Sequence, residues 1–253
     1  MNNTNKSQNI YDNETFFEGY KELRNQPNTA NETEEKPALF SLLPTLNELT
    51  VLDLGCGFGE NCEKFSKLGA SLVIGTDISS NMLTEAQSRH PSATYIQGDM
   101  SDLSYLTENE SFPKKYDLIV SSLAVHYIED FNKLAKQVYS LLNDGGYFVF
   151  SQEHPLTTAP MSGASWEKDG ETVTCYKLSD YGRSGERKVT WFVDGVTKHH
   201  RTFSDLFRAL TDAGFTVTNM LEPFPTESEI ADIPKRAKNL HKPNFLLLKA
   251  KKQ

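Results

Sequence analysis

Between residues 50 and 151, short apolar runs alternate with stretches in which apolar side chains recur every three or four positions. The runs are Val51–Leu54, Leu72–Asp77, Thr94–Gln97, Tyr116–Ser122 and Tyr147–Ser151. Each is short, flanked by turn residues and rich in β-branched or aromatic side chains, which predicts buried strands. The periodic stretches predict helices. One runs from Glu60 to Leu68 and stops at Gly69; another runs from Met82 to Ser88, with Pro91 beyond it. A third is capped by Asp130, carries Leu134, Val138, Leu141 and Leu142, and is closed by Asn143–Gly146. Strands alternating with helices imply an α/β fold, a doubly wound and mostly parallel sheet with helices on both faces. Ligands bind such sheets at the carboxyl ends of the strands.

The flanks are patterned differently. Residues 1–12 are polar and Asn-rich, which predicts disorder. Phe16, Phe17, Tyr20 and Leu23 predict a helix over Glu14–Arg24. A second helix carries Leu39, Phe40, Leu42 and Leu43, with Asn31 and Glu34 as a variant capping box and Pro44 as its stop. These helices are read either as a lid over the ligand edge or as the cover of a sheet edge. From Glu153 to Lys188 no period holds, but Trp166, Tyr176 and Tyr181 favour a folded cover over disorder. Lys188–Val193 and Val196–Arg201 predict a hairpin turning at Asp194-Gly195. Thr202 or Ser204 caps a helix to about Ala213, Phe215–Met220 reads as a strand, 221–243 as a charged loop, and Phe245–Lys249 as a last strand. The expected division is 1–45 N-terminal helical lid, 46–152 ligand-binding core, 153–201 inserted cover and 202–253 completion of the sheet.

Composition narrows the function classes. The 253 residues suit one α/β domain with an insertion. A net charge of −8 argues against a nucleic-acid surface, which needs a basic footprint. The three cysteines lack metal-ligand spacing and fit a reducing compartment. No signal-peptide core and no membrane span are evident, so a cytoplasmic protein is expected.

The chemistry concentrates in VLDLGCGFGE, Val51 to Glu60. A strand running into glycines at Gly55, Gly57 and Gly59 and then into a helix is a nucleotide-cofactor loop. Glycine permits φ > 0 there and lets a ligand touch the backbone. The spacing is G-x-G-x-G, not the G-x-G-x-x-G of dinucleotide enzymes. With Asp53 before the first glycine and Cys56 inside, it resembles motif I of class I S-adenosylmethionine (SAM) methyltransferases. The resemblance extends over residues ~14–250. It implies a seven-stranded Rossmann-like sheet whose last strands, one antiparallel, come from 215–220 and 245–249. FFEGYKELR, EHP and KHHRTFSDL resemble a bacterial group of small-molecule-type methyltransferases whose substrates are mostly unassigned.

The resemblance also implies roles. Asp53, Gly55, Cys56 and Gly57 form the cofactor loop. Asp77 ends strand two where a ribose-binding carboxylate is expected, with Ile78 beside it, and Ser79 or Ser80 caps the next helix. Asp99 and Met100 match the acid that holds the adenine amino group and the apolar neighbour that packs on the ring. Ser121 and Ser122 fall at the same edge. Tyr20 and Arg24 share a helix face; Arg24 is read either as the partner of the SAM carboxylate or as a solvated charge. The implied chemistry is in-line methyl transfer to an O or N nucleophile of a small molecule, releasing S-adenosylhomocysteine (SAH), with no metal. A hydroxyl or protonated amine also needs a base. His154, after strand five and held by Pro155, is the first expectation, His126 the second, with Glu153 to orient the base or bind a cationic acceptor. His199 and His200 alternate on a strand, so one is expected to face the cleft and the other the surface. The rival readings are an NAD-dependent oxidoreductase, disfavoured by the glycine spacing, and a nucleic-acid amino-methylase, disfavoured by SSLAVHY after strand four. A non-catalytic SAM-binding or regulatory protein is the third.

Overall fold

The computed structural model describes residues 7–253. Its first half is the expected alternation: β1 Thr50–Leu54, α3 Glu60–Lys67, β2 Leu72–Asp77, α4 Ser80–Arg89, β3 Thr94–Gln97, α5 Ser104–Glu108, β4 Tyr116–Ser121, α6 Phe131–Leu141 and β5 Leu142–Glu153. Ahead of it lie α1 Glu14–Asn25 and α2 Lys36–Leu42. After it come α7 Pro155–Thr158, β6 Ser165–Asp169, β7 Thr172–Lys177, β8 Gly185–Trp191, β9 Val193–His200, α8 Phe203–Asp212, β10 Phe215–Leu221, α9 Glu227–Asp232 and β11 Phe245–Lys252.

Seven strands form one sheet in the order β10-β11-β5-β4-β1-β2-β3. Strands β1 to β5 are mutually parallel, and β11 runs antiparallel between β5 and β10. Burial follows the period of two. Leu52, Leu54, Ile119, Phe148 and Phe150 pack on one face with Leu134, Val138, Leu206 and Leu210 from α6 and α8. Val51, Leu118, Val120 and Val149 point the other way, onto Leu39 and Leu42 of α2 and Phe65 of α3. The helices start on their expected caps: Ser79 accepts from Met82 N, Asp130 from Lys133 N, and Thr202 closes a reciprocal capping box with Asp205.

Four expectations need correcting. Residues 7–12 are ordered, and Ile10–Asp12 form a 3-10 turn, because the polar side chains that read as disorder bond to the sheet edge and a hairpin; residues 1–6 of that expected disordered stretch lie outside the described residues. The Asn31–Glu34 capping box is absent: Asn31 opens a π-helical turn and bonds Glu35 and Arg24 instead. Asn143–Gly146 do not close α6 but belong to β5, whose Leu142 already pairs with Tyr116. The β8–β9 hairpin turns at Phe192, φ 60°, with Trp191 opposite Val193, so Asp194 and Gly195 lie within β9, where Thr190 bonds Asp194. The cover also contains a hairpin of its own, β6–β7, and α9 interrupts the charged loop.

Candidate active site

A cavity of about 470 Å³ opens at the carboxyl edge of the sheet. Of the expected cofactor residues, Tyr20, Gly55, Gly57, Asp77, Ile78, Asp99, Met100 and Ser122 line it. The loop that begins it is fixed by backbone donors. Gly55 N and Cys56 N both donate to Thr76 O, at 2.8 and 2.9 Å, and Gly57 N donates to Asp77 Oδ2 at 2.9 Å. Gly55, Gly57 and Gly59 have φ of 72°, 53° and 78°, the left-handed region. Asp77 also accepts from Ser79 N at 2.9 Å. Burial pushes its carboxyl up to about 6, against the pull of those backbone donors.

A narrow arm of about 60 Å³ continues past Tyr20. Cys56, Arg24, Lys36, Glu60 and Asn61 line it. Arg24 pairs with Glu60 at 2.5 Å and Glu32 at 3.1 Å, and Lys36 joins both carboxylates. Burial alone would raise the Glu60 carboxyl, yet these two cations hold it below the usual range. Asn61 Oδ1 is buried, with no partner among the described residues.

Two expected cofactor residues miss the cavity. Asp53 lies behind the loop, 1% exposed, with Cys62 Sγ donating to its Oδ2 at 3.4 Å and its Oδ1 unpartnered. Burial pushes its carboxyl up to about 7. It sits there because side chains alternate along a strand: Leu54 and Leu52 face one layer, Val51 and Asp53 the other. Ser121 is fully buried and ties β4 to β1, donating to Leu54 O at 2.8 Å.

The histidines sort differently from their order along the chain. His154 is fully buried away from the cavity. Its Nδ1 accepts from Leu156 N at 3.1 Å, capping α7, so the proton sits on Nε2 and is donated to Glu222 at 2.8 Å. Both nitrogens are occupied, which withdraws it as a base. His126 is 2% exposed, and burial pulls its pKa to about 3, too low for a base working near neutrality. Its Nδ1 accepts from Glu153 N at 3.4 Å. Glu153 pairs with Lys198 at 2.6 Å and does not line the cavity. His200 is not at the surface: it is fully buried between Thr158 Oγ1 and Tyr181 O, both at 2.9 Å. His199 lines the cavity, and its Nδ1 is itself buried, with the Tyr127 backbone as its neighbour. Burial pulls its pKa below the ordinary value, Arg201 adds to this, and Glu129 and Glu186 oppose it.

Several lining groups had no signal in the residue pattern. Ser7 Oγ donates to Asp99 Oδ1 at 3.0 Å, and Gln8 bonds Gly195 O and Thr197 N, each at 2.9 Å. The Tyr11 and Tyr127 hydroxyls are 3.1 Å apart. Tyr127 follows His126 in a stretch already placed at the ligand edge and could have been found there; Tyr11 lay in a tail that reads as unstructured.

Comparison with known proteins decides the class. A family model for the methyltransferase domain matches residues 52–150. The crystal structure of an S-adenosylmethionine-dependent methyltransferase from Mesorhizobium loti superposes with a TM-score of 0.77 at 38% identity, over 85% of this chain and 96% of that one. The chain belongs to the S-adenosylmethionine-dependent methyltransferases. A putative methyltransferase structure from Listeria monocytogenes gives a TM-score of 0.74 at 34% identity, over 87% of this chain and 98% of that one. An uncharacterized protein of Haemophilus influenzae is 38% identical over 96% of both chains.

This methyltransferase therefore uses SAM, and its own residues fit that group. A Cβ added at Gly57 would meet nothing within 4 Å, so it would stand in the cavity where a ligand must pass. At Gly55 it would come within 2.6 Å of Ala124 Cβ. Arg24 and Lys36, both paired with Glu60, line the narrow arm together with Asn61, while the carboxylates of Asp77 and Asp99 line the main cavity. Among the described residues no helix is long and apolar enough to cross a membrane.

Proposed function

We propose that this methyltransferase acts on an O or N nucleophile of a small-molecule acceptor, with His199 as the base. The carrying observation is that His199, alone among the described histidines, lines the cavity. When bound, SAM supplies a methyl group activated by its sulfonium charge. Arg24 and Lys36 would hold its carboxylate, Asn61 Oδ1 its ammonium, Asp77 the ribose hydroxyls and Asp99 the adenine amino group. Gly55, Cys56 and Gly57 would face it with backbone, and Ile78, Met100 and Ser122 would complete the walls. The acceptor loses its proton to His199 as it gains the methyl group. The lowered pKa keeps His199 neutral and able to take that proton at neutral pH. Residues 7–45 serve as the lid, 46–152 as the cofactor core, and 153–201 as the acceptor cover, of which β8–β9 is the part that reaches the cavity. Residues 202–253 complete the sheet.

The roof supports a small acceptor: Ser7, Gln8 and Tyr11 on one side and Thr197 and His199 on the other line the same cavity. The test is incubation with a metabolite extract and SAM carrying a deuterated methyl group. A labelled small molecule that disappears with His199→Gln is expected. Label found only in the protein or nucleic-acid fraction would overturn the reading.

A further inference from the structure

Three tyrosines from distant parts of the chain meet in the main cavity. Tyr11 comes from the N-terminal segment, Tyr20 from α1 and Tyr127 from the turn after β4; all three line the cavity. The Tyr11 ring centroid lies 5.1 Å from that of Tyr20 and 6.0 Å from that of Tyr127, with interplanar angles of 81° and 86°. These rings stand as walls, not as a stack. Further rings pack on them: Phe16 lies 4.9 Å from Tyr11 at 87°, and Trp191 5.9 Å from Tyr20 at 89°. Tyr11 is held in place from the segment around it. Asp12 accepts from Ser79 Oγ at 2.5 Å and from Asn81 N at 3.1 Å at the start of α4, and Asn9 donates to Ile78 O.

The position of this group matters more than its size. Tyr20 lines both the main cavity and the narrow arm, so it stands at their junction. SAM joins its amino-acid tail to its ribose through the sulfonium. With the tail in the arm and the ribose at Asp77, the linking atom has to cross that junction. Aromatic faces attract a desolvated cation. We propose that Tyr11, with Tyr20 and Tyr127, forms an aromatic box that favours the positive sulfonium of SAM over the neutral thioether of SAH. Tyr11 is thus a binding residue of the active site, supplied by a segment whose composition reads as disordered. The box also favours product release, because transfer of the methyl group removes the charge it attracts.

The inference rests on placing the amino-acid tail in the narrow arm, and the experiment keeps the two apart. Calorimetric titration of the full chain with SAM and with SAH gives the ratio of their dissociation constants, independently of turnover. Tyr11→Leu should weaken SAM by roughly threefold to thirtyfold and SAH much less. Tyr11→Phe, which keeps the ring, should hold the ratio near wild type. Equal weakening of both ligands by Tyr11→Leu would reduce Tyr11 to packing and overturn the proposal. So would an unchanged SAM affinity, or a Tyr11→Phe ratio as low as that of Tyr11→Leu. Arg24→Met, run alongside, should weaken SAM and SAH alike. If it affects neither, the tail lies elsewhere and the box loses its place on the sulfonium, whatever Tyr11→Leu does.

Discussion

The two sides of the cavity are built by different means. On the cofactor side the glycine loop and Asp77 sit at the ends of strands, and the contacts that set them are short in sequence. Gly57 N reaches Asp77 across 20 positions, and Ser79 N reaches it across 2. Neighbouring parallel strands bring those ends together, and backbone donors fix the loop between them. On the acceptor side the contacts span the chain, 189 positions from Gln8 to Thr197. There the groups are side chains carried by a hairpin and an N-terminal segment. A site made of backbone at strand ends constrains its sequence locally, as glycines and an acid at set offsets. A site made of side chains on loops constrains only where those loops fold.

That contrast is tested most strongly at the two histidines that exchange roles. His199→Gln should lower turnover by about 10²–10⁴ if His199 is the base, with SAH affinity unchanged. Because burial holds its pKa below the ordinary value, the wild-type rate should persist as pH falls past ~6.5 and drop only below that. His154→Ala should behave in the opposite way. It removes a helix cap and leaves Glu222 unpaired, so the melting temperature falls while the rate constant of the folded enzyme stays near wild type. A His154→Ala enzyme that is folded but inactive would break the comparison, because it would return the chemistry to strand five.

On the cofactor side, Gly57→Val should abolish measurable SAH binding in calorimetry. The new side chain enters open cavity and also carries a positive φ that β-branched residues rarely adopt. Asp77→Ala should cost less, about tenfold to a hundredfold, the worth of charge-assisted hydrogen bonds at roughly 1.5–3 kcal/mol. Part of that loss comes through the loop, since Asp77 also receives Gly57 N. Asp77→Asn keeps an acceptor for that donor, so it separates the two contributions. Equal losses in both variants would assign the effect to the ribose alone.

The same division explains what could be read from the residues. The alternation of strands and helices, the glycine turn, Asp77 at the end of strand two and the caps Asp130 and Thr202 follow from period and local chemistry, while the seven-stranded sheet and Asp99 follow from the family resemblance. Asp53 is assigned to the cofactor by its place in the glycine motif, and Ser121 by its place at the carboxyl edge of the sheet. Both lie one residue from side chains facing the opposite layer, and both are turned into the sheet. His154 was placed by position too, but the strand it leaves is followed by a helical turn that takes its ring for a cap. The alternation of His199 and His200 foretold that one would face the cavity. It did not foretell that the other would be buried, because the cover over it, at Tyr181 and Thr158, belongs to the segment without a period.

The smallest effect is expected where the two sides touch. Ser7 Oγ donates to Asp99 Oδ1, and Ser101 N donates to the same oxygen at 2.8 Å. Oδ2 of Asp99 meets no described donor, so it is left for an adenine amino group. Ser7 and the adenine would then bind the same carboxylate together, without competing for one oxygen. The contact is half-buried, and a net hydrogen bond of this kind is worth about 0.5–1.5 kcal/mol, or roughly twofold to tenfold. Ser7→Ala should therefore weaken SAH by that factor. The change should come mainly in the dissociation rate measured by stopped flow, because the segment holding Tyr11 lifts more readily. Tighter binding by Ser7→Ala would mean that the hydroxyl occupies the adenine's place, and that the N-terminal segment must leave before the cofactor can enter.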